Sequence, residues 1–264
     1  MIADFHNDIL TAAGDIAALS TEVDCCVCAL FRGNRDFSVL RGMALDFREK
    51  HPRNLFFALE DIGYYEDSFA DEICSLHPVY ASLTWNGENA LAGGCESAGR
   101  LTAKGVRAVK KLTDCGICID CAHLNRESFA DLLALDSPRL VDSHTCFQGV
   151  CRHPRNLEDW QAKEIVARGG LIGVALVGKF LCAEQRAGVE DVFRHIDYGA
   201  EKFGSENICL GTDFNGTDDL PVRLQSYSDL ALLCERMQSA GYAKHTIENI
   251  VSENLRTFLN GYTA

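Results

Sequence analysis

The sequence predicts an α/β protein of the (β/α)8 barrel class. Three observations carry that expectation: short apolar, strand-like runs alternate with amphipathic helices; eight such strands can be counted; and no linker or repeat interrupts the series. The strands are apolar almost throughout, as in Asp24 to Phe31, which a sheet covered on both faces requires. The runner-up, a doubly wound open sheet, lacks its usual Gly-rich phosphate loop after the first strand. At 264 residues and 47% hydrophobic content the chain can fill one large core, and a single domain over 1–264 is expected.

Taken in order, Met1 to Phe5 reads as strand one, and Thr11 to Thr21 as a connection of mixed character. Asp24 to Phe31 is strand two. Phe37, Leu40, Met43, Ala44 and Phe47 then recur three or four apart, which predicts a helix over Asp36 to Lys50, ended by His51-Pro52. Asn54 to Glu60 is strand three, followed by a weaker helix from Glu66 to Leu76. Val79 to Trp85 is strand four, running into a Gly-rich loop. Thr102 is suited to cap a helix with Val106, Val109 and Leu112 on one face and Gly116 at its stop. Ile117 to Ala122 is strand five, with Asn125 capping the helix to Leu135. Pro138 to Ser143 is strand six. Asn156 is placed to cap the next helix, stopped by Gly169-Gly170. Leu171 to Val177 and Asn207 to Gly211 are strands seven and eight, separated by a helix from Val189 to Phe203. Two helices, Tyr227 to Ala240 and His245 to Leu259, close the chain.

Lys and Arg number 25 against 38 Asp and Glu, a net charge of −13, which argues against nucleic-acid and anionic-membrane partners. No apolar stretch approaches the ~18 residues of a membrane span. Strand-like sequence begins at Ile2, so no leader is expected, and a soluble, cytoplasmic protein follows. The 13 cysteines then read as small buried hydrophobes. Cys115-x-x-Cys118-x-x-Cys121 has cluster-like spacing. Cys118 and Cys121 fall on opposite faces of a strand, however, and no fourth cysteine follows in the run.

In a barrel of this class, chemistry belongs to the C-terminal tips of the strands. Those tips carry His6 and Asp8, then Glu60, Trp85, His123, His144 and Asp213. His6 and Asp8 are two apart and share a face, a spacing that suits half a metal site and equally a polar strand end. A lone histidine after a strand is commonly a satisfied loop residue, and Asp213 could be an ordinary turn residue. What favours metal is phase, because every candidate occupies the same end of its strand. Five ligands exceed one tetrahedral ion, so two ions sharing a carboxylate are expected. His51, His77, His153, His195 and His245 receive no role.

Several stretches then carry a resemblance: His6-Asn7-Asp8, Leu59-Glu60, Leu83-Thr84-x-Asn86, Asp120-x-x-His123, Ser143-His144, His153-Pro154-Arg155-Asn156-Leu157 and Gly211-x-Asp213-Phe214-x-Gly216. Jointly they resemble the membrane (renal) dipeptidase family, dinuclear zinc peptidases on an amidohydrolase-like barrel. The resemblance implies two Zn²⁺ ions, with His6 and Asp8 on one, His123 and His144 on the other, and Glu60 bridging. It implies that Asp213 handles the proton of a bridging water, that Arg155 clamps the substrate's terminal carboxylate, and that metal-bound hydroxide cleaves a dipeptide, D-configured C-termini included. Relatives often dimerise, which leaves a homodimer open, although no stretch of the sequence demonstrates a partner surface. Two departures stand out. Trp85 occupies the position after Leu83-Thr84 where the family usually has a histidine, and Asn215 replaces a second Asp. The chain is also short for the family between strands two and three. A metal-dependent hydrolase with another small substrate, or a catalytically weak metal-binding relative, are the alternatives.

Overall fold

The computed structural model describes residues 1–50, 52–135, 138–184 and 186–262. Eight strands, β1 (Ile2–Asn7), β2 (Val23–Phe31), β3 (Leu55–Glu60), β4 (Tyr80–Ser82), β5 (Cys118–Asp120), β6 (Leu140–Thr145), β7 (Ile172–Val174) and β8 (Ile208–Leu210), pair in sequence order. Every ladder is parallel. The (β/α)8 barrel expected from the sequence is therefore present. Between the strands run α1 (Ile16–Glu22), α2 (Phe37–Lys50), α3 (Ala70–Leu76), α4 (Ala103–Asp114), α5 (Arg126–Leu133), α6 (Asp159–Ala167), α7 (Gly178–Leu181) and α8 (Val189–Phe203). The chain continues as α9 (Ala231–Ser239) and α10 (Lys244–Glu248), then a π turn over Asn249–Glu253 and α11 (Asn254–Leu259).

Several local expectations need correction. The connection from Thr11 to Thr21 holds α1, whose N-terminus is capped by the Asp15 carboxylate accepting from Ala17 and Ala18 N–H. Asn156 does not cap α6. Glu158 does, in a capping box with Gln161, while the Asn156 amide donates to Cys151 and Phe180 carbonyls. Val106 is exposed, so α4 buries Ala108, Val109 and Leu112 instead. Thr102 and Asn125 do cap their helices. The stop assigned to His51 lies outside the described residues. Cys74, in the last turn of α3, is disulfide-bonded to Cys115 after α4, an exception to cysteines that mostly serve as small buried hydrophobes. Cys118 and Cys121 join separate apolar clusters, as their opposite faces require.

Inside the lower barrel, successive strands contribute Ala3, Phe5, Cys25, Val27, Ala58 and Val141, plugged from below by Leu255 and Leu259 of α11. The larger apolar layer lies between the strands and the helices. Strand alternation sets this division: on β2, Cys25 and Val27 face in while Cys26, Cys28 and Leu30 face out. The barrel closes where β8 meets β1. Asp8 N–H donates to Phe214 O at 2.9 Å and Asp213 N–H to His6 O at 3.1 Å. The buried Asp4 carboxylate accepts from Thr212 N–H (2.8 Å), Thr212 Oγ1 (2.6 Å) and Tyr227 hydroxyl (2.5 Å).

Candidate metal centre and substrate cavity

Regular alternation from Phe5 would turn His6 away from the barrel axis. It does not, because β1 carries a register shift: Asp4 pairs with Cys26 and Asn7 with Cys28, three steps against two. The extra residue is a β-bulge, which re-aims His6 inward beside Phe5. β6 repeats the device, with Asp142 opposite Ile172 and Thr145 opposite Val174, and brings both Ser143 and His144 to the interior. Glu60 is the last residue of β3. His123 and Asp213 lie just beyond β5 and β8 in the left-handed region, φ 72° and 61°. Non-glycine residues rarely adopt it, and such strain gathers at functional sites. A Cβ at Gly216 would run into the Asp8 and Asp213 carboxylates, so only glycine permits that approach.

Each histidine is held through Nδ1. Tyr80 hydroxyl donates to Phe5 O (3.0 Å), so its oxygen accepts from His6 Nδ1–H at 2.8 Å. Ser143 Oγ donates to Asp120 Oδ2 (2.6 Å) and accepts from His144 Nδ1–H at 2.8 Å. Asn86 Oδ1 accepts from His123 Nδ1–H at 2.8 Å. All three rings therefore turn Nε2 to one point, the orientation that a hydrogen bond to the far nitrogen gives a metal-binding imidazole. Glu60 sits among them. Its Oε1 lies 2.8 Å from His123 Nε2 and 4.0 Å from His144 Nε2, and its Oε2 lies 3.7 Å from His6 Nε2. Asp8 and Asp213 approach His6 Nε2 to 3.3 and 3.9 Å.

The electrostatics call for a cation. Burial alone would lower His6, but the close Asp8 carboxylate together with the Glu60 and Asp213 charges outweighs it and raises the imidazole to about 10. Burial and the neighbouring Asp8 push Glu60 well above the usual carboxylate range. Burial, reinforced by Arg155 and His6, holds His123 and His144 neutral. Burial lifts Asp213 to about 7, with His6 opposing. Two donor groups, His6–Glu60–His144 and His6–Asp8–Asp213, each keep their ligand atoms within 4.8 Å. His6 Nε2 is buried and without a hydrogen-bond partner. Imidazole nitrogens with carboxylate oxygens fit a borderline divalent metal, and the orphaned nitrogen is where such an ion would bind.

Every candidate site residue named from the sequence meets at one cavity of about 290 Å³ or in the shell behind it. Trp85 lies past the end of β4 rather than on it, 47% exposed, its ring 5.5 Å from Phe31 and 6.0 Å from His123. Arg155 is buried, donates to His144 O at 3.0 Å and stands over the Phe180 ring at 5.2 Å; its Nε has no partner. Asn215 donates to Asn7 Oδ1 at 3.0 Å, bracing the β8–β1 junction. Sequence reasoning missed Tyr80, Ser143, Asp120 and Asn86 as orienting groups. The last three stand inside the quoted motifs, whereas Tyr80, at the start of β4, carries no signal. His153, given no role, also lines the cavity, with Lys179 and Phe180. His195 is a buried core histidine that accepts from Phe147 N–H and donates to Leu181 O.

A parallel barrel gathering histidines and carboxylates at the C-terminal mouth defines a candidate metal-dependent enzyme. The chain belongs to the membrane dipeptidase family, peptidase family M19, whose family model matches residues 59–260. It is 32% identical over 165 residues to the "uncharacterized protein in pqqA 5′ region" of Klebsiella pneumoniae, covering 61% of this chain and 60% of that one. With dipeptidase verJ of Clonostachys rogersoniana it shares 27% identity over 180 residues, 67% of this chain and 46% of the relative. The matches thus span about half to three-fifths of these curated relatives. Among solved structures, dipeptidase AC, an M19 metallopeptidase, superposes with a TM-score of 0.84 at 19% identity over 99% of this chain and 98% of the other. A Rhodobacter sphaeroides metallopeptidase, liganded with a phosphinate mimic of the dipeptide L-Ala-D-Ala, gives 0.83 at 19% identity over 99% of both. At these identities the likeness establishes the barrel. No helix among the described residues is long and apolar enough to cross a membrane.

Proposed function

We propose that this chain is a dinuclear zinc dipeptidase that accepts C-terminal residues of either configuration. The observation that carries the reading is the placement of Glu60, one oxygen toward His123 and His144 and the other toward His6, with the buried Arg155, whose Nε has no partner, lining the same cavity. His6 and Asp8 would hold one ion, His123 and His144 the other, with Glu60 shared between them. When bound, a metal pair supplies an ionised water and polarises the scissile carbonyl.

The chain's own groups do the rest. Asp213, within 3.9 Å of His6 Nε2 at the mouth of the cavity, can take the attacking water's proton and return it to the leaving amine. Arg155 presents a planar fork to the terminal carboxylate, and its burial strengthens that contact. The Ser143, Tyr80 and Asn86 contacts keep the three imidazoles in one tautomer. Trp85 gives the rim an apolar wall and one N–H donor without charge, so oxyanion stabilisation falls short of what an imidazole would add. Family membership and the dipeptide mimic on the Rhodobacter sphaeroides neighbour support the substrate class. The test is a panel of L,L and L,D dipeptides assayed with zinc and after chelation. Zinc-dependent cleavage is expected, and no cleavage of any dipeptide by zinc-loaded protein would sink the reading.

A further inference from the structure

We propose that the cavity selects a C-terminal residue that is itself acidic, aspartate or glutamate, with Lys179 reading the side-chain carboxylate. This rests on the dipeptidase reading and names its substrate class.

The cavity has two walls of opposite charge. Asp8, Glu60 and Asp213 form one. The other is built on the Phe180 ring, flanked by His153 at 4.7 Å, the Arg155 guanidinium carbon at 5.2 Å and Lys179 Nζ at 5.7 Å. In a chain of net charge −13, six of the eight lysines hold a carboxylate within 4.0 Å. Lys179 and Arg155, the two permanent cations on this wall, have no such partner among the described residues. Two carboxylates stand nearby: Glu96, which also lines the cavity and accepts from Asn86 Nδ2 at 3.2 Å, and Asp219, which accepts from the Lys179 backbone N–H at 2.8 Å. His153 Nδ1 accepts from Arg155 N–H at 3.2 Å, which leaves its other nitrogen as a third donor.

The two cations differ in freedom. Arg155 is buried and fixed by His144 O, which suits the α-carboxylate common to all dipeptides. Lys179 is exposed on a long stem from α7, which suits a variable second carboxylate. In aspartate and glutamate the two carboxylates stand two or three carbons apart, across the face of one ring.

The test compares kcat/KM of the zinc-loaded enzyme on Ala-Glu, Ala-Ala and Ala-Lys, each with L and D C-termini, in the parent, Lys179→Met and Lys179→Glu. Acidic substrates should lead and basic ones trail. Because an exposed ion pair is worth up to about 1 kcal/mol, Lys179→Met should cut the acidic-to-neutral ratio about fivefold, mainly through KM. Lys179→Glu should cut it further, and added salt should shrink the preference. Calorimetry with free glutamate and free alanine separates the two readings. Glutamate binding more tightly than alanine, in a Lys179-dependent way, supports the cationic wall even if no dipeptide is cleaved. Equal binding of the two, or an acidic-to-neutral ratio unmoved by both variants, overturns the proposal whatever happens to hydrolysis.

Discussion

The lower and upper halves of the barrel interior are built by opposite rules. Below, Ala3, Phe5, Cys25, Val27 and Val141 obey strand alternation, and α11 seals them from beneath. Above, two bulges break the alternation, two residues adopt left-handed backbone, and three carboxylates crowd round imidazoles in a buried space. The lower half secures the fold by removing apolar surface from water. The upper half costs stability, because burying like charges is unfavourable until a cation joins them. The proposed function thus sits where folding is least favourable, and the closure between β8 and β1 through Asp4 ties the two halves together.

The largest effect should come from the upper half. Glu60→Ala removes the carboxylate between the two donor groups. We expect dipeptide hydrolysis to fall more than about a thousandfold, measured as kcat/KM at saturating zinc. The same variant, stripped of metal, should unfold at a higher temperature than the stripped parent, since a buried acid held above its usual range is gone. A lower melting temperature would show that the carboxylate cluster stabilises the metal-free fold. Phe5→Ala, in the lower half, should cost about 3–5 kcal/mol in chemical unfolding whether or not metal is present.

Trp85→His comes next. An imidazole at the rim would add a hydrogen-bond donor able to carry charge, and an oxyanion donor is worth about 2.7–4 kcal/mol. We expect kcat to rise, at most about a hundred- to thousandfold, with metal content unchanged; an unchanged kcat would mean that the oxyanion is held elsewhere.

The smallest effect concerns His195, outside both halves. Burial holds it down at about 4 against an ordinary 6.5. The folded chain therefore binds fewer protons than the unfolded chain between those values. Its contribution is whole above pH 6.5 and lost as pH falls through 4, on the order of 3 kcal/mol. His195→Gln can keep both hydrogen bonds and should flatten that loss in melting curves taken from pH 7 to pH 4. Parallel curves for the two proteins would contradict it.

Much of the barrel was legible because its strands and helices announce themselves by period and by caps such as Thr102 and Asn125. Strand tips also exposed the acids and histidines. What stayed hidden is long-range or irregular. Neither bulge has a signature in Asp4 to Asn7 or Asp142 to Thr145, so the inward turn of His6 beside Phe5 contradicts simple alternation. Tyr80 orients His6 from 74 residues away, which no local pattern can reveal. His153 receives no role in the sequence and Lys179 carries no motif; both come to the cavity only when α7 and the Arg155 loop fold against it.

The most direct measurement is a calorimetric titration of chelator-stripped protein with zinc. Two equivalents per chain are expected, with protons released as His6 gives up its Nε2 proton, and with Glu60→Ala losing tight binding. Failure of the parent to bind zinc stoichiometrically, or a Glu60→Ala isotherm identical to it, would contradict a dinuclear centre built on Glu60.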